Sequence, residues 1–393
     1  MTNFSYCVPT KIVFGKGVEE QAGQEILACG GKKVLLHYGG GSAERSGLLG
    51  RIERSLEAAG LPYVRLGGVV PNPRLSLVRE GIALCKQENV DFILAVGGGS
   101  VIDSAKAIGY GIVHDFDVWD IFSKKRAPTG CAPIGAVLTL SATGSETSAS
   151  TVITNEDGWL KRSGNSEYIR PRFALMNPEL TYTLPPYQTA SGGVDIMMHT
   201  MERYFTAPAD AELTDRMCEA LLKTVIHNLP IALANPEDYN ARAELMWAGS
   251  LSHCDLLNAG RDRGDWSCHQ MEHELGGMFD VAHGAGLSAI WGSWARYVYQ
   301  HNIGRFAQFA VNVMDCTLDF AHPERTALEG ICAIETFFHS VNMPTNIKEL
   351  GFTLTDAQIT ELAHKCAFDG TRTIGSFQTL NEQDMAAIFT AAR

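Results

Sequence analysis

Twice in the first hundred residues an apolar run ends in the same punctuation, GGGS: KKVLLHY leads into Gly39–Ser42 and DFILAV into Gly97–Ser100. Near-continuous apolar runs of this length, bounded by glycine, mark strands covered on both faces. Helical text follows each, over residues 48–59 in the first case and from Ser100 in the second. IGAVLTL and FALMN read as further strands. Strands alternating with helices predict a parallel sheet with helices on both faces. Sheets of that kind bind ligands outside the carboxyl ends of their strands, which is where these glycines stand.

The alternation stops at TLPPYQ (183–188). Beyond it GGVDIMMHTMERYF, AELTDRMCEALLKTVIHNL, ARAELMWAGSLSHCDLLN and HPERTALEGICAIETFFHSV all carry helical text. A chain of 393 residues exceeds one ordinary core. Two domains are therefore expected: an α/β domain over 1–186 and an all-helical domain over 187–393.

The glycine loops suit a phosphate. Glycine lets a ligand approach the backbone, and the free N–H groups of a helix N-terminus attract anions. Two such loops in adjacent strand–helix units point to a dinucleotide pyrophosphate, with Ser100 as an N-terminal hydroxyl and Asp103 as a first-turn acid. No GxGxxG with a following acid is present, so an ordinary Rossmann fingerprint is excluded. TLSATGSE (139–146) is a third small, hydroxyl-rich loop after a strand, suited to lining a nicotinamide ribose; a plain exposed turn is the alternative.

The helical half carries the metal-type chemistry. Asp195 and His199 stand four apart in SGGVDIMMHTME, which places both on one helix face. His269 and His273 repeat the spacing in HQMEHELGGMFDVAHG, where His283 follows. Their neighbours are apolar, among them Ile196, Met197, Met198, Leu275 and Phe279. Buried carboxylates and imidazoles need partners, at about 1–3 kcal/mol for each polar group left unsatisfied. One divalent cation would satisfy Asp195, His199, His269 and His283 together. Spacing alone does not rank His273 and Glu272, which could be further ligands or support for them.

Bulk properties exclude other classes. A formal charge of −12, with no run of five or more Lys or Arg, leaves no basic landing site for nucleic acid or an anionic membrane. No apolar stretch near the roughly 20 residues of a bilayer span is expected, and the N-terminus has no signal-peptide core. Ten irregularly spaced cysteines without a CxxC read as reduced thiols, placing the protein in the cytoplasm.

In order along the chain, FSYCVPTKIVFGKG, LLHYGGGSAERSGLL, VVPNPRLSLVREG, ILAVGGGSVIDSAKAI, VLTLSATGSE, TYTLPP, GGVDIMMHTME and the block GDWSCHQMEHELGGMFDVAHGAGLSAIWGSWARYV resemble the iron-containing (group III) alcohol dehydrogenases, in the branch of butanol dehydrogenases and broad aldehyde reductases. The likeness spans nearly the whole chain. The GGVDxxxH helix and the last block are specific to it, whereas the GGGS loops are shared with dehydroquinate synthases and glycerol dehydrogenases. The resemblance implies a dehydroquinate synthase-like fold: a dinucleotide-binding domain followed by a helical metal-binding domain. It carries the metal ligands onto Asp195, His199, His269 and His283. His273 falls where an imidazole often lies near the nicotinamide. Gly39, Gly40, Ser42, Asn72, Gly98, Gly99, Ser100, Thr139, Thr143 and Lys161 fall at cofactor-contacting positions; read alone, Asn72 would be a turn residue and Lys161 a solvated surface lysine. Two positions depart from the pattern. Leu140 stands where many members have a second threonine, and Gly292 where the close branch has proline, a change read as structural.

The chemistry implied is hydride exchange between NAD(P)(H) and a small aldehyde or primary alcohol, with a cation polarising the oxygen and His273 relaying a proton. Three imidazoles and a carboxylate suit Fe²⁺, Zn²⁺ or Mn²⁺, and the family favours iron. Gly39 stands where an acid would repel a 2′-phosphate and Arg45 lies nearby, so NADP(H) is favoured over NAD(H), with Glu44 opposing. A homodimer through the opening strand is the family expectation. Rival readings are a polyol or glycerol dehydrogenase, a dehydroquinate-synthase-like lyase, and a nucleotide-sensing regulator. The lyase would need more cationic residues near the metal block than Arg261, Arg263 and Arg296.

Overall fold

The folded chain falls into two compact units, Cys7–Leu184 and Pro185–Arg393, the second also taking Met1–Tyr6. The computed structural model describes residues 1–207, 210–262 and 264–393; Arg263 lies outside the described residues. The expectation of one domain over 1–186 is corrected at its start. Met1–Tyr6 belong with the helical unit, where the Thr2 N–H donates to the Gly260 carbonyl at 2.9 Å.

In Cys7–Leu184 the strands are β1 (Lys11–Phe14), β2 (Val34–Gly39), β3 (Tyr63–Val69), β4 (Phe92–Gly97), β5 (Ile134–Leu138), β6 (Ser150–Asn155), β7 (Leu160–Asn165) and β8 (Phe173–Met176). The helices between them are α1 (Ala22–Ala28), α2 (Ser42–Arg45), α3 (Leu48–Ala58), α4 (Leu75–Glu88), α5 (Gly99–Val113) and α6 (Trp119–Phe122). Six strands form one parallel sheet in the order β1-β8-β5-β4-β2-β3. Alternation within β2 shows why both faces are covered. Val34 and Leu36 join the apolar cluster of Ile26, Ile52 and Leu56 from α1 and α3. The next residue, His37, points the other way and meets Ser104 of α5 at 2.9 Å.

Two elements were not legible. β3 mixes Arg65 and two glycines into its apolar text. The β6–β7 hairpin is antiparallel and lies outside the main sheet, bridged instead to the β3–α4 loop, where the Thr154 N–H donates to the Pro73 carbonyl at 2.8 Å.

The second unit is helical: α7 (Pro186–Tyr204), α8 (Glu212–Ala234), α9 (Tyr239–His253), α10 (Ser267–Phe279), α11 (His283–Val298), α12 (Ile303–Asn312), α13 (Pro323–Ser340), α14 (Asp356–Cys366) and α15 (Glu382–Ala392). Proline at N1 of α7 presets the helical φ without sacrificing a hydrogen bond. Every residue of α7 from Thr189 to Tyr204 is buried, so this helix is the axis of the unit. The expected lack of a span-length apolar stretch needs correction. α8, at 23 residues, is long and apolar enough to cross a bilayer; here Cys218, Leu222, Val225 and Leu229 are packed in the core beside α7.

His37 supplies a pH test of the sheet unit. Fully buried, it has its pKa lowered by desolvation from 6.5 to about 4, although the Leu66 carbonyl at 2.9 Å partly opposes the shift. Between these values the unfolded chain binds a proton that the folded chain refuses. Its contribution is therefore complete above pH 6.5 and is lost as pH falls towards 4, by about 3 kcal/mol. Denaturant titrations across this range should show that decline in wild type and a flatter profile in His37→Gln.

Candidate active site

In the sheet unit the three loops predicted to bind nucleotide follow neighbouring strands, β2, β4 and β5, at their common carboxyl edge. Gly39 closes β2 and pairs with Val69; Gly40 and Gly41 lead into α2 at Ser42. Gly98 caps α5, whose first turn holds Gly99 and Ser100. The Thr139 N–H donates to the Gly97 carbonyl at 3.1 Å, tying the third loop to the second. A Cβ on Gly99 would lie 2.3 Å from Thr143 Oγ1, so the two loops touch only because residue 99 has no side chain. Leu140, the departure from the family pattern, packs against Gly98.

Asn72 and Lys161 are both buried, at 6% and 4% exposure, which excludes a solvated lysine. Asn72 is indeed a turn residue, with φ 53°. The hairpin brings the two together, since Lys161 pairs with Thr154 and Thr154 bonds next to Asn72 at Pro73. The reading of Asp103 as a first-turn acid is corrected. Its carboxylate accepts from Ser145 Oγ at 2.6 Å and from the Val152 N–H at 3.0 Å.

In the helical unit, α7, α10 and α11 each bring donors around the buried Asp195 carboxylate; Asp195, His199 and His269 form one tight group, and His283, partly exposed, stands in a second with Glu272 and His273 while also reaching Asp195. Asp195 Oδ1 lies 3.3 Å from His199 Nδ1, 3.9 Å from His269 Nε2 and 3.7 Å from His283 Nε2. The first follows from the i, i+4 spacing on α7. His283 arrives because α10 ends at Asp280, in a left-handed conformation with φ 53°, and the chain turns at once into α11. Glycines permit the approach. A Cβ on Gly284 would fall 2.0 Å from the Ser191 carbonyl oxygen of α7.

Carboxylates stand behind two of the imidazoles. His269 Nδ1 meets Glu202 Oε1 at 3.1 Å, and the same oxygen accepts the His269 backbone N–H at 2.9 Å. His283 Nδ1 meets Glu272 Oε2. With Nδ1 so engaged, Nε2 of each ring is left facing Asp195, the arrangement by which carboxylates orient metal-binding histidines. His199 differs. Its buried Nδ1 makes no hydrogen bond among the described residues. Burial, then His253, His269 and Arg203, hold its pKa well below 6.5, so the ring is a neutral lone-pair donor. A buried nitrogen without a hydrogen bond, converging with two oriented imidazoles and a carboxylate, fits a divalent cation.

Glu202 and His253 were missed. Glu202 had a signal, being seven after Asp195 and three after His199 on the same helix face. Burial raises its pKa to about 8, against the hydrogen bonds it accepts. His253 ends α9, far away in sequence, yet its ring centroid is 4.2 Å from that of His199. Trp266 completes the surround, 5.1 Å from His269 and beneath the Arg203 guanidinium at 4.6 Å. It adopts φ 64°, a left-handed conformation costing roughly 1–2 kcal/mol. His273 is buried with its ring 6.0 Å from His283. Gly292 has a structural reason: a side chain there would strike Glu335, which pairs with Arg296.

One chain thus carries a glycine-lined carboxyl edge of a parallel sheet and a buried group of carboxylate and imidazole donors. The chain matches the family model for iron-containing alcohol dehydrogenase over residues 9–178 and that for the family's C-terminal part over 189–393, and it belongs to that family. It is 40% identical over the full length of both chains to a probable NADH-dependent butanol dehydrogenase 1 of Bacillus subtilis. To the NADPH-dependent aldehyde reductase YqhD of Escherichia coli it is 34% identical, again over the full length of both. The crystal structure of NADH-dependent butanol dehydrogenase A from Thermotoga maritima is similar with a TM-score of 0.96 at 35% identity, covering 100% of this chain and 99% of that one. The protein is an NAD(P)(H)-dependent alcohol dehydrogenase or aldehyde reductase.

The contact at Gly284 is testable. Gly284→Ala should force α11 away from α7 at a cost of about 1–3 kcal/mol, the range for overpacking. A fall in the denaturation midpoint is the expected reading, and an unchanged midpoint would mean that the contact is loose.

Proposed function

We propose that this chain reduces small aldehydes, and oxidises the corresponding primary alcohols, at a cation held by Asp195, His199, His269 and His283. The observation that supports this reading is that His199, His269 and His283 all turn a ring nitrogen to within 3.3 to 3.9 Å of Asp195 Oδ1. Fe²⁺ is the proposed ion, on the family's name; Zn²⁺ suits the same donors and binds more tightly on intrinsic affinity. When bound, the two groups supply Lewis acidity to the substrate oxygen and hydride from the dihydronicotinamide.

The chain's own residues prepare both groups. Glu202 and Glu272 fix the orientation of His269 and His283, and burial keeps His199 unprotonated. His273 is assigned the proton relay through its ring nitrogens. The N–H groups at Gly98, Gly99 and Ser100 bind the pyrophosphate, and the Thr139 and Thr143 hydroxyls the nicotinamide ribose. Gly39, Gly40, Ser42, Asn72 and Lys161 complete the nucleotide contacts.

NADP(H) is proposed over NAD(H). A Cβ on Gly41 would lie 3.2 Å from Arg45 Nη1, so this guanidinium lies over the loop after β2, while Glu44 leans to Arg65 at 3.6 Å. Among the relatives, the butanol dehydrogenases carry NADH in their names and YqhD carries NADPH. A homodimer through β1 is supported by the position of that strand at a sheet edge. A cytoplasmic location is supported by ten cysteines, all free thiols. The formal charge of −12 opposes nucleic acid and anionic membranes as partners.

Protein reconstituted with Fe²⁺ or Zn²⁺ should reduce short aldehydes; failure with either ion and both cofactors would overturn the reading. Glu202→Gln should weaken cation affinity roughly 10–100-fold, the effect of removing a ligand's orienting carboxylate, as measured by competition with a chelator. Arg45→Ala should lower the NADPH-to-NADH ratio of kcat/KM roughly tenfold, as expected for one charge-assisted hydrogen bond of about 1.5 kcal/mol.

A further inference from the structure

Helix α5 carries an unusual pair one turn beyond the GGGS loop. Lys106 is fully buried in the sheet unit, three residues after Asp103. Three apart on a helix, the two side chains share a face. That face lies against the backbone of residues 145–152, which joins the Thr139–Thr143 loop to β6.

The contacts run along that segment in order. Asp103 accepts from Ser145 Oγ at 2.6 Å. Lys106 Nζ donates to the carbonyls of Ser148 at 2.9 Å and Ser150 at 2.8 Å. Thr151 Oγ1 donates to the Asp103 carbonyl at 2.8 Å, and the Val152 N–H returns to the Asp103 carboxylate at 3.0 Å. Buried Arg170 adds a bond from Nη1 to the Thr147 carbonyl at 2.6 Å. Two ionic side chains from one helix turn thus hold a segment that runs from the irregular residues 145–149 into the first residues of β6. At the upstream end, Ser145 N–H donates to Thr143 Oγ1 at 3.2 Å, and Thr143 rests on Gly99.

We propose that Asp103 and Lys106 are positioning residues for the nucleotide: a clamp that sets the Thr143 hydroxyl relative to the helix N-terminus at Gly98–Ser100. The inference rests on the proposed nucleotide role of those loops. An apolar interior offers an irregular segment no regular backbone partners, and each buried carbonyl left without a donor is costly. A protonated amine carries three N–H donors, and Lys106 Nζ spends them on the Ser148 and Ser150 carbonyls and the Ser148 hydroxyl, the last at 3.3 Å. Burial lowers the Lys106 pKa to about 8, with Asp103 opposing, so the amine is still mainly protonated at neutral pH. The clamp costs desolvation in the free protein and returns it as preorganisation when nucleotide binds.

The test compares wild type with Lys106→Met, Asp103→Asn and the milder Ser145→Ala, each as the cation-loaded full chain. Titration with NADPH and NADH gives the dissociation constant, and hydrogen exchange of the amides of 143–152 reads the segment directly. Lys106→Met should exchange there at least tenfold faster and bind nucleotide at least tenfold more weakly, with cation content and aldehyde KM within twofold of wild type. Ser145→Ala should show a threefold loss of affinity, and it decides the matter if Lys106→Met does not fold. Asp103→Asn, which retains one acceptor, should fall between them. Faster exchange with unchanged affinity in Lys106→Met, or unchanged affinity in Ser145→Ala when Lys106→Met does not fold, would make the pair merely structural and overturn the proposal. Wild type that binds nucleotide but turns over no aldehyde would sink the proposed function and leave the clamp standing. Wild type that binds neither nucleotide would sink both.

Discussion

The helical unit depends on keeping one carboxylate, Asp195, out of water. At 2% exposure it sits on the most deeply buried helix, and an ionised carboxylate there is tolerable only with partners. Three imidazoles supply them from α7, α10 and α11, and two further carboxylates hold two of those rings in orientation. Much else follows from this requirement. The sharp turn at Asp280 exists to return His283 to the cluster, and Gly284 must lack a side chain for α11 to reach α7. Trp266 accepts a left-handed backbone at the start of α10, where it covers the polar group. Local cost concentrated around a single point is the usual mark of a functional site.

The sheet unit solves a different problem with related means. The carboxyl edge of its sheet is built from three loops that have little regular structure, and they are held by contacts of opposite kinds. Close backbone approach joins the second loop to the third through Gly99. Buried ionic side chains of α5 and the hairpin carry the rest. Asn72 and Lys161 are distant in sequence, yet they come together because β6 bridges to the β3–α4 loop.

Where local pattern decides, the sequence was readable. The i, i+4 spacing of Asp195 and His199, with the apolar company of His269 and His283, pointed to side chains that the fold does bring together, and the two GGGS motifs do stand at the carboxyl ends of neighbouring strands. What stayed hidden was non-local. Spacing did not rank His273 and Glu272; the fold sets Glu272 against His283 Nδ1 and the His273 ring 6.0 Å from that of His283. His253 reaches His199 only through the packing of α9. The hairpin was invisible because STVITN and LKRSGN are too polar and too short to announce strands, and so Lys161 read as a surface residue. Asp103 read as a first-turn acid because its partners, Ser145 and Val152, lie beyond any helical window. Met1–Tyr6 join the helical unit through the Thr2–Gly260 backbone hydrogen bond and the Tyr6 hydroxyl beside Cys254 Sγ, partners about 250 residues away in sequence.

The four donors come from stretches separated by α8 and α9, residues 195–199 on one side and 269–283 on the other. No unfolded chain presents them together, so an ion with affinity for the set recognises only the assembled helices. Free-ion concentration then enters the folding equilibrium directly, adding RT ln(1 + [M]/Kd) to the stability of the helical half. Cells starved of the ion would hold a pool of this protein closer to its melting point, and supply of the metal would govern how much of it survives as well as how fast it works.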